Sequence, residues 1–305
     1  MAERLIFLVG PTAIGKTGIS LELAKLIECE IISCDSMQVY RGMNVGTSKP
    51  AKALLNSIPH HLIDIIDPSE EFSVAQFRDL ASKAIQDIVL RHKTPLLVGG
   101  SGLYVRVLIE GIFEAPATDR QLRAGLEQEA GEFGPGVLYK RLCEVDRESA
   151  EAVHPNDLRR IVRALEVYEK AKAPISELRK KTTGLGDSYD VKIFGLNMDR
   201  ESLYRKIDER VESIFSEGLV NEARQLMQGK LGLTASQALG YKEVFGYLAE
   251  EYGLEEAKRL VKRNTRHFAK RQLTWFGRDK RIEWLMLEED FNTEEIARAI
   301  WKRLS

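Results

Sequence analysis

The chain has 305 residues, 44% hydrophobic and 30% charged, which is typical of a globular protein with one large or two modest domains. Its formal net charge of −1 excludes a polycation, so any nucleic-acid surface must be a local concentration of Lys and Arg. Without an apolar run of about 20 residues, a leader pattern or a C-x-x-C pair, we expect no membrane segment, signal peptide, disulfide framework or zinc module, and a cytoplasmic location.

The first predicted element is a buried parallel strand at residues 5–9. The sequence Gly10-x-x-x-x-Gly15-Lys16-Thr17 follows and leads into an apolar helical stripe, as in a phosphate-binding P-loop. Backbone amides, the helix N-terminus and Lys16 can face phosphate oxygens, and the Thr17 hydroxyl can hold Mg²⁺. A chance match is the alternative, but the flanking elements count against it. We therefore predict that a phosphate or diphosphate group binds to Gly10, Pro11, Thr12, Ala13, Ile14, Gly15, Lys16 and Thr17.

A second strand is predicted at residues 30–34, and Asp35 follows directly after it. Ligands of open parallel sheets bind beyond the carboxyl ends of the strands, which places Asp35 near the P-loop. An Asp that caps the next turn is an equally good interpretation of the position alone. Residues 62–66 are a candidate short strand, and His60 and His61 are expected to be surface or loop histidines because no third metal ligand stands at a useful spacing.

A capped helix from Ser73 to about Arg91 precedes a third buried strand at residues 94–98. This strand runs into Gly99-Gly100-Ser101-Gly102, which indicates backbone close to a ligand. Many P-loop nucleotide hydrolases have a magnesium-binding Asp at this point, so the glycines count against a nucleotide motor.

From residue 116 to 190 the sequence shows only amphipathic helices, which predicts an all-helical insertion. Its central helix has an apolar stripe and is expected to present Arg159 and Arg163, four residues apart, on its outer face. Taken alone, these arginines are better explained as an ordinary solvated helix face than as a binding surface. A strand at 191–196 then returns to complete the sheet. The sequence predicts an α/β fold with a P-loop NTPase-like parallel sheet flanked by helices, formed by residues 1–115 and 191–305.

The last long predicted helix, residues 254–276, is strongly basic. From residue 254 to 281 there are ten Lys or Arg against three Asp or Glu, with interleaved aromatic side chains. Such a pattern favours contact with a phosphate backbone and stacked bases. The alternative is a solvated helix face over a core seam at Leu260, Leu273 and Trp275.

These residues alone are compatible with three functions. The first is a small-molecule kinase in which the helical insertion is a lid. The second is a transferase whose P-loop holds a diphosphate leaving group, and the third is a nucleotide-gated RNA-binding protein. A small-molecule kinase does not need a second basic region such as the helix at residues 254–276, whereas an enzyme that binds RNA does.

Six stretches of the sequence form a specific combination when they are taken in order. They are Gly10-Pro11-Thr12-Ala13-x-Gly15-Lys16-Thr17, Asp35-Ser36-x-Gln38-x-Tyr40, Gly99-Gly100-Ser101-Gly102-Leu103-Tyr104, Asp157-x-Arg159-Arg160-x-x-Arg163-Ala164-Leu165-Glu166, Gly240-Tyr241-Lys242 and Arg271-Gln272-x-Thr274-Trp275-Phe276. Together they resemble the tRNA dimethylallyltransferase (tRNA isopentenyltransferase) family over nearly the whole chain. Ser101 stands where many relatives have Thr. The sequence shows no zinc finger of the kind that eukaryotic relatives have, and in this it resembles the bacterial form.

The resemblance implies transfer of a dimethylallyl group from dimethylallyl diphosphate to N6 of the adenosine at tRNA position 37, beside the anticodon, with Mg²⁺ and without ATP consumption. Asp35 is the implied base, Lys16 and Ser101 assist catalysis, and Arg210 joins the diphosphate site. The implied contacts with the anticodon stem-loop are Asp35, Ser36, Met37, Gln38, Arg159, Arg160, Ile161, Val162, Arg163, Gly240, Tyr241, Lys242 and Arg271. A monomer is expected, because no exposed apolar helix stands out. Adenylate isopentenyltransferases, which prenylate AMP or ADP, are the nearest alternative.

Overall fold

The computed structural model describes residues 3–113, 116, 118–180 and 182–304. The chain divides into two compact units, residues 1–109 with 186–305 and residues 110–185. The predicted boundaries after residues 115 and 190 differ from these by a few residues, and residue 115 lies outside the described part of the chain.

The first unit is built on a six-stranded sheet in which every strand runs parallel to its neighbours, so the predicted α/β fold is confirmed. The central strands are apolar along their length because helices cover both faces of a parallel sheet. The strands are β1 (Arg4–Val9), β2 (Cys29–Ser33), β3 (His60–His61), β4 (Thr94–Gly99), β5 (Asp190–Met198) and β6 (Ile282–Leu287), in the spatial order β3-β2-β4-β1-β5-β6.

Helices surround the sheet and make up the second unit. None of the helices in the described residues combines the length and the apolar character needed to cross a bilayer. The helices are α1 (Lys16–Leu26), α2 (Lys52–Ser57), α3 (Val74–Leu90), α4 (Gly102–Glu110), α5 (Arg120–Phe133), α6 (Pro135–Val145), α7 (Arg147–Glu151), α8 (Leu158–Ala171), α9 (Ile175–Lys180), α10 (Arg200–Ser216), α11 (Leu219–Leu226), α12 (Leu233–Ser236), α13 (Tyr241–Leu248), α14 (Leu254–Phe276) and α15 (Thr293–Leu304).

The candidate strand at residues 62–66 is wrong, and the strand in this region is His60–His61. Leu62 and Asp64 have φ angles of 65° and 55°, which end the extended conformation. The two histidines are therefore an edge strand rather than a loop. His61 Nε2 lies 2.7 Å from the buried Glu30 carboxylate, which explains its position.

Two elements at the end of the chain were not predicted. Strand β6 pairs with β5 and extends the sheet beyond the strand that was expected to complete it. Helix α15 packs on α1, the helix that follows the P-loop. The Phe291 ring just before α15 lies against Gly15, whose φ angle is 91°, so neither the backbone conformation nor the space there suits a larger residue.

Helix α14 has the predicted bounds, but its buried seam is not the one at Leu260, Leu273 and Trp275. The Trp275 indole is 37% exposed. The seam recurs every three or four residues, as expected for one helix face, and uses small and polar side chains where α10 and α13 pack closely. Its residues are Ala257, Val261, Thr265, Ala269, Gln272 and Phe276.

The second unit contains helices and no strand among its described residues, as the sequence predicts. Asp157 caps α8, and its carboxylate accepts a hydrogen bond from the amide of Arg160. The unit has its own hydrophobic core, which includes Leu126, Leu138, Leu142, Ile161, Leu165 and Val167.

We expect Gly102→Ala to destabilise the first unit. A Cβ at Gly102 would overlap the Trp275 indole, and overpacking of this kind costs about 1–3 kcal/mol. The free energy of unfolding in urea measures the loss. The loss should shrink in the Trp275→Ala background if the indole is its cause. Gly131→Ala, at an open position in helix α5, is the matched control and should not destabilise.

Candidate active site

Three loops of the first unit meet at the carboxyl edge of the sheet, where parallel sheets bind ligands. The P-loop follows β1, the Asp35 loop follows β2 and the Gly99–Gly100 loop follows β4. The approach is close, because a Cβ at Gly99 would overlap the carbonyl of Cys34. Glycine at this point therefore lets two loops share the edge.

Lys16 is held inside the P-loop. Its Nζ donates hydrogen bonds to the carbonyl oxygens of Gly10, at 3.1 Å, and Pro11, at 2.7 Å. Burial and the positive charge of Arg210 lower the pKa of Lys16 to about 7, although Asp35 opposes the shift. The ammonium therefore lacks a counter-ion strong enough to offset its desolvation, which favours an anionic ligand.

Arg210 on α10 lines the same cavity as Lys16. Its Nη1 donates a hydrogen bond to Thr12 Oγ1 at 3.0 Å. Burial lowers the pKa of Arg210 as well, with Asp35 and Glu217 acting in the opposite direction. Tertiary contact therefore brings together Lys16 and Arg210, which are far apart in the sequence, beside the P-loop.

Asp35 fits both interpretations of its position. Its Oδ1 accepts a hydrogen bond from the amide of Met37 at 2.8 Å, so it does cap the turn. Its side chain also lines both cavities of the site. The cap holds the carboxylate in place rather than withdrawing it from the site.

Ser101 and Gln38 support the Asp35 loop. Ser101 Oγ accepts a hydrogen bond from the amide of Ser36 at 3.3 Å. The Gln38 side chain accepts one from Ser33 Oγ and donates one to the carbonyl of Thr47. In this conformation both ends of the Gln38 amide are used within the chain.

Two adjoining cavities form the site. One, about 290 Å³, is lined by the P-loop from Thr12 to Thr17. The other, about 410 Å³, is lined by the Asp35 loop, α13 and α14. The residues that line both cavities are Thr12, Asp35, Thr47, Arg210, Phe268 and Gln272. The arrangement can hold an anionic group beside a carboxylate and admit a second reactant from the larger cavity.

The donor set fits a magnesium ion bound mainly through a phosphate ligand. The Thr17 side chain lines the P-loop cavity. In the described part of the chain, no group of three or more His, Cys, Asp or Glu side chains could hold a metal by itself. Mg²⁺ commonly uses one or two protein oxygens, substrate phosphates and water.

Most of the predicted RNA contacts in the first unit do gather at the larger cavity. Ser36, Met37, Gly240, Lys242 and Arg271 line it. In contrast, the Tyr241 side chain is fully buried, and its hydroxyl donates a hydrogen bond to Glu222. Tyr241 therefore supports the cavity from beneath and presents no side chain to a ligand.

Glu222 is a supporting residue that the sequence analysis missed. Its carboxylate accepts hydrogen bonds from the amides of Asn44, Val45 and Gly46, and from Tyr241. It thereby holds the loop that carries Thr47 to both cavities. No local pattern distinguishes Glu222 from any other acid on an amphipathic helix.

The predicted contacts on α8 lie in the second unit and divide into two groups. Arg159 and Arg160 are exposed, but Ile161 and Val162 are buried in the core of that unit. Their side chains cannot touch a macromolecule in this conformation. Arg163, expected on the outer face, instead pairs with the fully buried Glu166.

Glu166 explains why Arg163 turns inward. Burial disfavours its charged form, but hydrogen bonds from Arg123, from the Asp119 amide and from Arg163 outweigh burial and lower the pKa of Glu166 to about 2. A buried carboxylate of this kind requires such partners. Arg163 is therefore part of the structure of the second unit.

The basic helix α14 also divides into two parts. Lys258 and Lys262 contact Glu212, and Arg266 contacts Asp208, so much of the positive charge in the first part is balanced within the chain. Farther along, Lys270 and Arg271 are exposed. The basic surface is therefore narrower than the charge count alone indicates.

The sequence profile of the IPP transferase family matches residues 38–279. The chain belongs to the IPP transferase family. One relative is a protein of Symbiobacterium thermophilum that is named tRNA dimethylallyltransferase. It is 50% identical to this chain over 303 residues, which cover 97% of this chain and 94% of the relative.

Solved structures of the family have the same fold. A tRNA isopentenylpyrophosphate transferase from Bacillus halodurans is 42% identical, with a TM-score of 0.72 over 99% of this chain and 97% of that one. A eukaryotic dimethylallyltransferase acting on tRNA is 30% identical, with a TM-score of 0.82 over 98% of this chain and 78% of that one.

We expect diphosphate binding to take up a proton above pH 7. The lowered pKa leaves Lys16 increasingly neutral as the pH rises through about 7, and a bound anion restores the ammonium. Affinity for inorganic diphosphate should therefore fall as the pH rises. Calorimetric titration in two buffers with different ionisation enthalpies measures the proton uptake.

The same titration of Lys16→Met is the control, because it reports the protons that diphosphate itself releases on binding. Equal proton uptake by the variant and the unmodified chain would contradict the assignment to Lys16.

We expect Glu166→Gln to destabilise the second unit at neutral pH by about 3 kcal/mol, because the buried ion pair loses its anionic partner. The lowered pKa means that the stabilisation is present above the ordinary value of 4.5 and is lost as the pH falls through about 2. The difference in unfolding free energy between the two proteins should therefore narrow in acid. Glu151→Gln, which removes an exposed pair with Arg147, is the control and should change stability little.

Proposed function

We propose that this enzyme transfers a dimethylallyl group from dimethylallyl diphosphate to N6 of the adenosine at tRNA position 37, beside the anticodon, and releases diphosphate. The observation that carries the proposal is the junction of the two cavities. One presents Lys16, Arg210 and the P-loop to an anion, the other opens towards α13 and α14, and Asp35 lines both.

The P-loop cavity would bind the leaving group and stabilise its negative charge. When the allylic C–O bond breaks, negative charge builds up on the diphosphate, and cations already held at that point lower the barrier. Lys16 and Arg210 are such cations, and their desolvation strengthens the attraction to the anion. The Thr17 hydroxyl would hold Mg²⁺, which when bound neutralises part of the same charge.

In the proposed reaction Asp35 would act on the acceptor. As the adenine N6 bonds to the allylic carbon, the nitrogen must lose a proton, and a carboxylate at the cavity junction can accept it. The amide of Met37 and the contact of Ser101 with Ser36 hold the Asp35 loop in place. The target base has to leave its stack to reach this point, as in other enzymes that modify bases.

Exposed Lys and Arg side chains would bind the tRNA backbone. Lys242 and Arg271 stand at the mouth of the larger cavity, and Arg159 and Arg160 are exposed on the second unit. Together they would bind the phosphates of the anticodon stem-loop. We further propose that the enzyme acts as a monomer in the cytoplasm, where three free cysteines stay reduced.

Nucleoside mass analysis tests the function directly. The purified protein is incubated with unmodified tRNA, dimethylallyl diphosphate and Mg²⁺, and the digested RNA should contain adenosine heavier by one dimethylallyl group without any ATP. Prenylation of AMP or ADP but not of tRNA would indicate the adenylate enzyme instead. ATP-dependent phosphorylation of a small acceptor would indicate a kinase.

We expect Asp35→Asn to lower the rate of transfer by at least about a hundredfold, because the amide keeps the shape of the carboxylate but accepts no proton. Binding of tRNA and of dimethylallyl diphosphate should stay within a few-fold of the unmodified protein. Single-turnover kinetics and filter binding separate the two effects. Turnover at the normal rate would remove Asp35 as the base.

We expect the double change Arg159→Glu and Arg160→Glu to weaken tRNA binding and to reduce the dependence of the affinity on salt. Arg163 is left unchanged, since its loss would disturb Glu166. The control reverses two other exposed cations of the same unit, Arg120 and Lys140. Equal weakening by both pairs would contradict a specific role for α8.

A further inference from the structure

The Gln272 side chain joins two loops of the active site. It is only 6% exposed on α14. Its Oε1 accepts a hydrogen bond from the backbone amide of Thr12 at 2.8 Å, and its Nε2 donates one to the carbonyl oxygen of Gly100 at 3.0 Å. A carboxamide is suited to this position because it offers an acceptor and a donor on one rigid plane.

The connection continues to the Asp35 loop. The residue after Gly100 is Ser101, whose amide donates a hydrogen bond to the carbonyl of Cys34 and whose hydroxyl accepts one from Ser36. Asp35 lies between these two anchored residues. An uninterrupted path of bonds therefore leads from Thr12 in the P-loop, through Gln272, to the carboxylate that is proposed as the base.

The groups along this path are closely packed. A Cβ at Gly100 would overlap Gln272 Nε2, so that loop and helix are already in contact. Thr12 is also held through its side chain, because Arg210 Nη1 donates a hydrogen bond to its hydroxyl. The P-loop is thus bonded to both α10 and α14, and Gln272 is the link to α14.

We propose that Gln272 is a positioning residue, which sets the separation between the diphosphate loop and Asp35. The inference rests on the proposed transfer reaction. In that reaction the leaving diphosphate, the allylic carbon and the attacking N6 must lie nearly in line, and displacement by about 1 Å can cost about a hundredfold in rate. Gln272 itself does not act on the reacting atoms.

Gln272→Met is the first test, since it keeps the length of the side chain and removes both hydrogen bonds without adding charge. We expect the single-turnover rate of transfer to fall about a hundredfold, while the separate affinities for inorganic diphosphate and for tRNA change less than about threefold. Leu273→Met, the next residue on α14 and part of its apolar packing, is the matched control and should keep the normal rate.

Gln272→Glu adds a readout that a purely structural residue would not show. The ionised carboxyl cannot donate to the carbonyl of Gly100, whereas its protonated form can both donate and accept. Burial, the carbonyl of Gly100 and the charge of Asp35 favour the neutral form of the introduced carboxyl, whereas Lys16 and Arg210 at the same cavity favour its ionised form. At saturating dimethylallyl diphosphate, the rate of Gln272→Glu relative to the unmodified protein should recover as the pH falls and this carboxyl takes up a proton, and the relative rate of Gln272→Met should not.

The outcomes separate this inference from the proposed function. No prenyl transfer by the unmodified protein would remove the function. Transfer by the unmodified protein and an equal rate in Gln272→Met would overturn the positioning role. A fall in melting temperature together with loss of affinity for both ligands would also overturn it and make Gln272 a folding residue.

Discussion

Two cations that share one cavity without a strong counter-ion are the constraint on which this active site depends. Burial lowers the pKa values of Lys16 and Arg210, and Lys16 is further affected by the charge of Arg210. Holding them together costs free energy that the surrounding fold must offset. The same arrangement favours an anionic ligand, because an anion offsets the repulsion between the two cations and compensates for their lost hydration.

The scaffold that holds these cations is assembled from segments far apart in the sequence. The P-loop joins the central strand β1 to α1, while α10 brings Arg210 to the hydroxyl of Thr12 and α14 brings Gln272 to its backbone amide. Glycines at the edge of the sheet allow this closeness, since side chains there would occupy the space of neighbouring atoms. The first unit can thus keep an anion site and a carboxylate in fixed relation within one core.

Positive charge serves two purposes in this protein, and their separation follows from burial. Arg163 and Arg266 pair with carboxylates of the chain, and Glu166 in particular would be costly to bury without its arginines. Arg159 and Lys242 are exposed, so their charge is available to an external phosphate. A basic stripe in a sequence therefore sets only an upper limit on the surface that RNA can use.

Much of this protein was predictable from the sequence because the relevant signals are local. An apolar run followed by Gly10-x-x-x-x-Gly15-Lys16-Thr17 is sufficient for a strand, a phosphate loop and a helix, and the period of residues 254–276 is sufficient for α14. Helix α15 also carries local signals, with Glu294 and Glu295 in its first turn and Lys302 and Arg303 in its last turn, and the sequence analysis missed them. Only the tertiary structure determined that Tyr241 lies beneath the cavity, that Arg163 turns towards Glu166, and that Gln272 joins two loops. These outcomes depend on which distant groups become neighbours when the core forms, and a sequence pattern carries periodicity along the chain but not the identity of partners across it.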